Sequence, residues 1–128
     1  MLLDPVEIVL GIARARVEVT NPERADLKGE IELLVHSGAS YSIINKEFLR
    51  KLQVNPLEER MFTLANGQRI RRSLGGVRMR IGDRQGFSSV IFGEENDQQL
   101  LGVTALEELG LELDPVSREL RPAELFLL

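Results

Sequence analysis

The chain has 128 residues, no cysteine, a formal net charge of −4, 43% hydrophobic and 28% charged residues. That length suits one domain, residues 1–128, with an ordinary core, and lack of cysteine excludes disulfides, thiolate metal sites and thiol nucleophiles. The acidic balance speaks against bulk electrostatic binding of nucleic acid, and no apolar run approaches the roughly 20 residues that a membrane helix needs.

At the N-terminus Leu2, Leu3 and residues 8–10 are apolar but broken by Asp4 and Glu7. With no basic stretch ahead of them they do not read as a signal peptide. The absence of cysteine fits a reducing compartment, so a cytoplasmic location is the expectation. Residues 13–19 alternate in character and stop at Thr20-Asn21-Pro22, which predicts a strand and a turn. Residues 30–35 begin as an alternating strand and become continuously apolar, the pattern of a strand entering a buried layer. Small residues follow, Ser37-Gly38-Ala39-Ser40, suited to a tight loop.

Asn45 is placed to cap a short helix running to Leu52, with Phe48, Leu49 and Leu52 on one face. Residues 62–70 read as a hairpin about a two-residue Asn66-Gly67 turn, since Asn-Gly tolerates positive φ at both positions. Val77, Met79 and Ile81 alternate with Arg78 and Arg80, a strand with one wet, basic face, and residues 87–92 form another strand. Thr104 with Glu107 predicts a capping box for a helix of one to two turns ending at Gly110. No internal repeat, low-complexity tract or linker divides the chain. The expected class is therefore all-β with one or two short helices.

Charge is uneven. Arg69, Arg71, Arg72, Arg78, Arg80 and Arg84 cluster around Asp83, whereas the C-terminal third is acidic. Two solvated faces are the simplest expectation; complementary charge in an oligomer, or an acidic ligand near the arginines, is the sharper one.

Three features occur in order: an apolar strand ending Leu34-Val35-His36-Ser37-Gly38-Ala39-Ser40, followed by Ile43-Ile44; a hairpin at Asn66-Gly67; and Leu100-Leu101-Gly102 before a short helix. Together they resemble the retropepsin-like, or retroviral-type, aspartic peptidases, over roughly residues 12 to 122. The resemblance implies a closed pepsin-like acid-protease barrel with one lobe per chain, working as a homodimer on extended peptide or protein substrates, with no cofactor or metal. Two aspartates meet on the dimer axis in that family and share a proton, because both cannot ionise at that distance. One serves as general base on water, the other as acid to the peptide carbonyl. By position, Ser37 would bond across the axis and Gly38 and Ala39 would supply loop backbone. Ala65, Asn66 and Gly67 would be the flap, and Leu100, Leu101 and Gly102 the support beneath the loop.

His36 stands where that pattern carries aspartate, and it is the single histidine of the chain. Imidazole is neutral or cationic near neutral pH, never an anion. Asp26, Asp83, Asp97 and Asp114 sit in other contexts and do not replace the missing acid. Proteolysis is therefore expected to be lost or strongly reduced, as in an inactivated variant or pseudopeptidase. The alternatives are a peptide- or protein-binding dimer that never cut, a hydrolase that uses neutral His36 as base, and a metal held by two such imidazoles, which falls one or two ligands short of a usual zinc site. The terminal apolar run, residues 125–128, would be an exposed patch on a monomer and reads as dimer interface.

Overall fold

A computed structural model describes residues 6–9 and 12–127. Leu2, Leu3 and Leu10 of the N-terminal stretch and Leu128 of the terminal run lie outside them. The chain is mostly strand, with two short helices.

The first long hairpin is β2 (Ile12–Asn21) with β3 (Arg24–Val35), and a short β1 (Val6–Val9) pairs along the outer side of β2. Alternation explains β2. Ala13, Ala15, Val17 and Val19 are buried, while Arg14 and Arg16 face water and meet Glu32 and Glu30 at 3.5 and 3.3 Å. Those ion pairs are exposed and add little to stability; the buried face sets the register. In β3 burial starts only near its end, at Leu33 and Val35, where the sequence turns continuously apolar.

The turn after β2 is fixed by Asn21. Its side-chain NH2 donates to the carbonyls of Leu52 and Gln53 at 2.8 and 3.0 Å, and its Oδ1 accepts from the N–H groups of Glu23 and Arg24 at 2.8 and 3.1 Å. One buried amide thus holds a hairpin turn against the end of a helix. That helix, α1 (Lys46–Lys51), follows β4 (Ser42–Asn45) and begins as expected: Asn45 Oδ1 accepts from the Glu47 N–H at 2.8 Å. Leu49 and Leu52 enter the core, and Phe48 packs partly against it.

The second hairpin joins β5 (Glu58–Thr63) to β6 (Arg69–Ile81) and departs from expectation in its turn. Only Gly67 has positive φ, +86°, and the Leu64 carbonyl accepts from the Gly67 N–H at 2.9 Å while the Leu64 N–H donates to Gln68. The loop therefore holds three residues, Ala65-Asn66-Gly67, with glycine at the left-handed position. Asn66 Oδ1 accepts from the Gln68 N–H, so its side chain holds the turn without its own backbone turning left-handed. The two-residue turn lies instead at Gly82-Asp83, between β6 and β7 (Arg84–Gly93).

Beyond β7 come a two-residue strand β8 (Leu100–Leu101), helix α2 (Val103–Glu108), and a small separate pair, β9 (Leu111–Leu113) with β10 (Leu120–Pro122). The main sheet runs β1-β2-β3-β8-β4-β7-β6-β5, and β2 pairs in addition with β6 through Glu18↔Arg80, Val19↔Met79 and Thr20↔Arg78. One hydrophobic cluster packs against it, including Val17, Leu33, Ile44, Met79, Leu101 and Leu120. α2 carries no capping box: its cap position is Gly102, and no side chain caps it. The expected cap, Thr104, lies inside the helix, because the first N–H groups find backbone carbonyls elsewhere in the fold.

Replacing Asn21 with alanine leaves two carbonyls and two N–H groups short of a partner in a buried setting. The expected loss is about 2–3 kcal/mol, read as a lower urea midpoint with an unchanged slope.

Candidate functional site

The site is assembled where β8 passes between β3 and β4. Leu34 and Leu100, then Val35 and Leu101, pair in parallel, while Ile43 pairs with Leu100 from the other side in antiparallel sense. The His36 N–H donates to the Leu101 carbonyl at 3.0 Å, and the Gly102 N–H donates to the fully buried Ser42 hydroxyl at 2.9 Å. The Val103 and Thr104 N–H groups, which open α2, donate to the Ala39 and Ser40 carbonyls at 2.8 and 3.0 Å. This is where the missing capping box went: the loop after β3 supplies the acceptors that a side chain would otherwise provide. Gly102 is required by proximity. A Cβ there would lie 2.6 Å from the Tyr41 carbonyl oxygen and 2.9 Å from that of Ala39.

Within the loop, His36 is exposed and turned back on its own backbone. The Gly38 N–H donates to His36 Nδ1 at 3.1 Å, and the Ala39 N–H donates to the His36 carbonyl at 3.2 Å. A side chain on Gly38 would sit 2.8 Å from the imidazole Cε1. The loop is thus shaped to present a backbone N–H to an acceptor on the residue-36 side chain. With Nδ1 accepting, the neutral ring carries its proton on Nε2.

Ser37 is exposed, and its hydroxyl makes no hydrogen bond among the described residues. Beside it Val103, Leu106, Leu111, Leu113 and Leu125, together with Glu107, Glu112 and Glu124, line a recess of about 360 Å³ that is mostly apolar. The segment after β10 forms no strand among the described residues, and Leu125, Phe126 and Leu127 are 70%, 83% and 103% exposed.

The β5–β6 hairpin approaches the loop through Tyr41. The Tyr41 ring meets Phe62 edge-on, with centroids 5.6 Å apart and planes at 80°, and Arg60 Nη1 donates to the Tyr41 hydroxyl at 3.1 Å. The tip residues Ala65, Asn66 and Gly67 project into solvent.

Three arginines of the basic cluster have separate partners. Arg78 stacks over the Phe87 ring at 4.9 Å, and Arg84 points at the Leu109 and Gly110 carbonyls. Arg72 makes a two-pronged contact with Asp97, at 2.7 and 2.9 Å, with about four-fifths of each side chain buried. Asp97 Oδ2 also accepts from the Glu94 N–H at 2.8 Å. The Arg72 guanidinium, aided by that N–H, holds the Asp97 carboxyl below its ordinary value.

The sequence model of the gag-polyprotein putative aspartyl protease family matches residues 27–108. That span takes in the His36 loop, the β5–β6 hairpin, and β8 with α2, which the fold has just joined into one unit. The chain belongs to this retroviral-type aspartyl protease family. No curated protein matches the chain. Family membership gives the shared architecture a common sense: His36, Ser37, Gly38 and Ala39 lie in one exposed loop, and Leu100, Leu101 and Gly102 lie directly beneath it. Ala65, Asn66 and Gly67 belong to a separate projection and have no hydrogen bond to that loop among the described residues. Tyr41, Arg60, Arg72 and Asp97 were not picked out as a group from the sequence. Only their spacing across strands joins them, and no local pattern records it.

Two outcomes follow from this geometry. Nitrogen chemical shifts of the single imidazole at neutral pH should report a proton on Nε2; a proton on Nδ1 would contradict the Gly38 contact. The Asp97 carboxyl is depressed when folded, so its contribution is complete above the ordinary value of 3.8 and is lost as pH falls through the lower folded value. The stability gap between the chain and Asp97→Asn should be full at about pH 6 and close progressively below about pH 4, as measured by urea unfolding across pH.

Proposed function

We propose that this chain is one lobe of a retropepsin-like homodimer that binds extended peptides across its axis, with His36 at the position of the catalytic aspartate and proteolysis lost or strongly reduced. The observation that carries this reading is the Gly38 N–H aimed at the residue-36 side chain from 3.1 Å. A backbone donor so placed stabilises a carboxylate, and here it meets an imidazole nitrogen instead. The β2–β6 pairing supports a closed barrel of the acid-protease kind. The apolar recess beside Ser37 and the exposed Leu125, Phe126 and Leu127 support a dimer face next to the loop. In that dimer the Ser37 hydroxyl would find its partner across the axis, and the β5–β6 hairpin would act as flap, with Ala65, Asn66 and Gly67 over the bound peptide.

The chemistry explains why activity fails while binding survives. Peptide hydrolysis in this family needs one carboxylate to take a proton from water and a second, protonated, to give one to the carbonyl. With Nδ1 engaged by Gly38, neutral His36 offers only an N–H, a donor where a base is needed. Protonated, two such rings on an axis repel and provide no base either. Peptide binding depends on main-chain pairing along the groove and on the flap, neither of which uses the residue-36 side chain.

Peptide-library cleavage at acidic pH tests the proposal. The chain as it stands should cut at least roughly 10³-fold more slowly than its His36→Asp variant, and both should sediment as dimers. Equal cleavage by the two, or a monomer at high concentration, would sink the composite site. Cleavage by neither, with peptide still bound, would favour a binding module that lacks more than its acid.

A further inference from the structure

Arg60 and Arg72 are direct partners across the β5–β6 hairpin, so their side chains leave the same face at the same rung. Two like charges so opposed push the strands apart unless each has its own partner. Each does, and the partners come from different segments of the chain. Arg60 pairs with Glu58 and donates to the Tyr41 hydroxyl, at the end of the loop that carries His36. Arg72 grips Asp97, in the loop that leads into Leu100, Leu101 and Gly102. One rung further out on the same face, Phe62, partnered by Ile70, rests on the Tyr41 ring. Beyond Phe62 only Thr63↔Arg69 and the Leu64 N–H bond to the Gln68 carbonyl remain before the three-residue tip. Among the described residues nothing outside the hairpin hydrogen-bonds that tip.

We propose that the Arg60–Arg72 rung is the hinge of this hairpin, clasped at β5 by Tyr41 and at β6 by Asp97, so that Tyr41 and Asp97 are positioning residues that set how freely the tip moves over the site. This rests on the reading of the hairpin as a flap, and it adds where the moving part begins and what restrains it. The Asp97 side is the stronger clasp, being two-pronged, mostly buried and further fixed by the Glu94 N–H. The Tyr41 side is a single hydrogen bond plus an aromatic contact, and it yields more readily. Both clasps end on the two segments that build the loop, so displacing the loop on binding a peptide would be felt at the hinge.

Amide hydrogen exchange on the full-length chain tests the hinge without any need for cleavage. The Leu64 and Gly67 N–H groups report the tip, and the His36 N–H, bonded to the Leu101 carbonyl, reports the body. In Asp97→Asn the tip amides should exchange at least about tenfold faster while the His36 amide is unchanged. In Tyr41→Phe, which keeps the ring but removes the acceptor, acceleration should be smaller, about threefold, and again confined to the tip. Exchanging the charges, in Arg72→Asp with Asp97→Arg, should return the tip to slow exchange. Unchanged tip exchange in Asp97→Asn or equal acceleration at His36 would each overturn the hinge. A His36→Asp variant that cuts nothing counts against the peptidase reading and leaves this test intact. A tip that stays rigid in Asp97→Asn removes the hinge and leaves that reading standing.

Discussion

The passage of Leu100-Leu101-Gly102 beneath the His36 loop is the constraint on which the rest of the structure depends. Four backbone N–H groups, those of His36, Gly102, Val103 and Thr104, are satisfied by acceptors from the opposite segment. Buried backbone groups without partners are costly, so neither segment can be placed without the other. The crossing also brings three distant stretches of chain to one point: the end of β3, the start of β4, and the start of α2. Gly102 sits at the closest approach, where a single added carbon would meet two carbonyl oxygens below 3 Å. Everything exposed at the site, His36 included, stands on this layer.

That arrangement separates what the fold requires from what the chemistry requires. The loop is held by its backbone, and the residue-36 side chain contributes only one acceptor to Gly38. An imidazole nitrogen fills that role as a carboxylate oxygen would, which is how the fold accommodates histidine at an exposed position. Catalysis asks for more: an anion able to accept a proton and a neutral acid beside it. On the proposed reading, histidine at position 36 is mild for the scaffold and severe for the reaction, since only the second depends on what the side chain can do after its hydrogen bond to Gly38 is made.

Much of the fold was legible along the chain because its strands obey simple alternation. Ala13, Ala15, Val17 and Val19 turn inward against outward arginines, and Val77, Met79 and Ile81 do the same in β6. The Asn45 cap was legible because capping is decided within one turn. Two local signals misled. Asn66-Gly67 suggests a two-residue turn, yet the loop is one residue longer, with only the glycine at positive φ. Thr104 and Glu107 suggest a capping box, yet the tertiary acceptors at Ala39 and Ser40 displaced it and moved the helix start to Gly102. At α2 a local capping preference of about 1 kcal/mol gave way to acceptors supplied by the surrounding fold, whereas at Asn66 the side chain itself holds the longer turn from within the hairpin.

The sequence by itself determined the strand pattern, the family, and the lone histidine in the small-residue loop, because each is carried by residues close together in the chain. Only the tertiary structure decided that His36 accepts from Gly38, that Asn21 fastens a turn to a helix, and that Arg72 and Arg78 have separate partners. It alone set Arg60 and Arg72 on one rung, with Tyr41 the partner of the first and Asp97 that of the second. The physical reason is the same throughout. Alternation and capping act over a few residues, whereas a hydrogen bond or ion pair between segments 19 or 25 residues apart exists only once register and packing have fixed both ends.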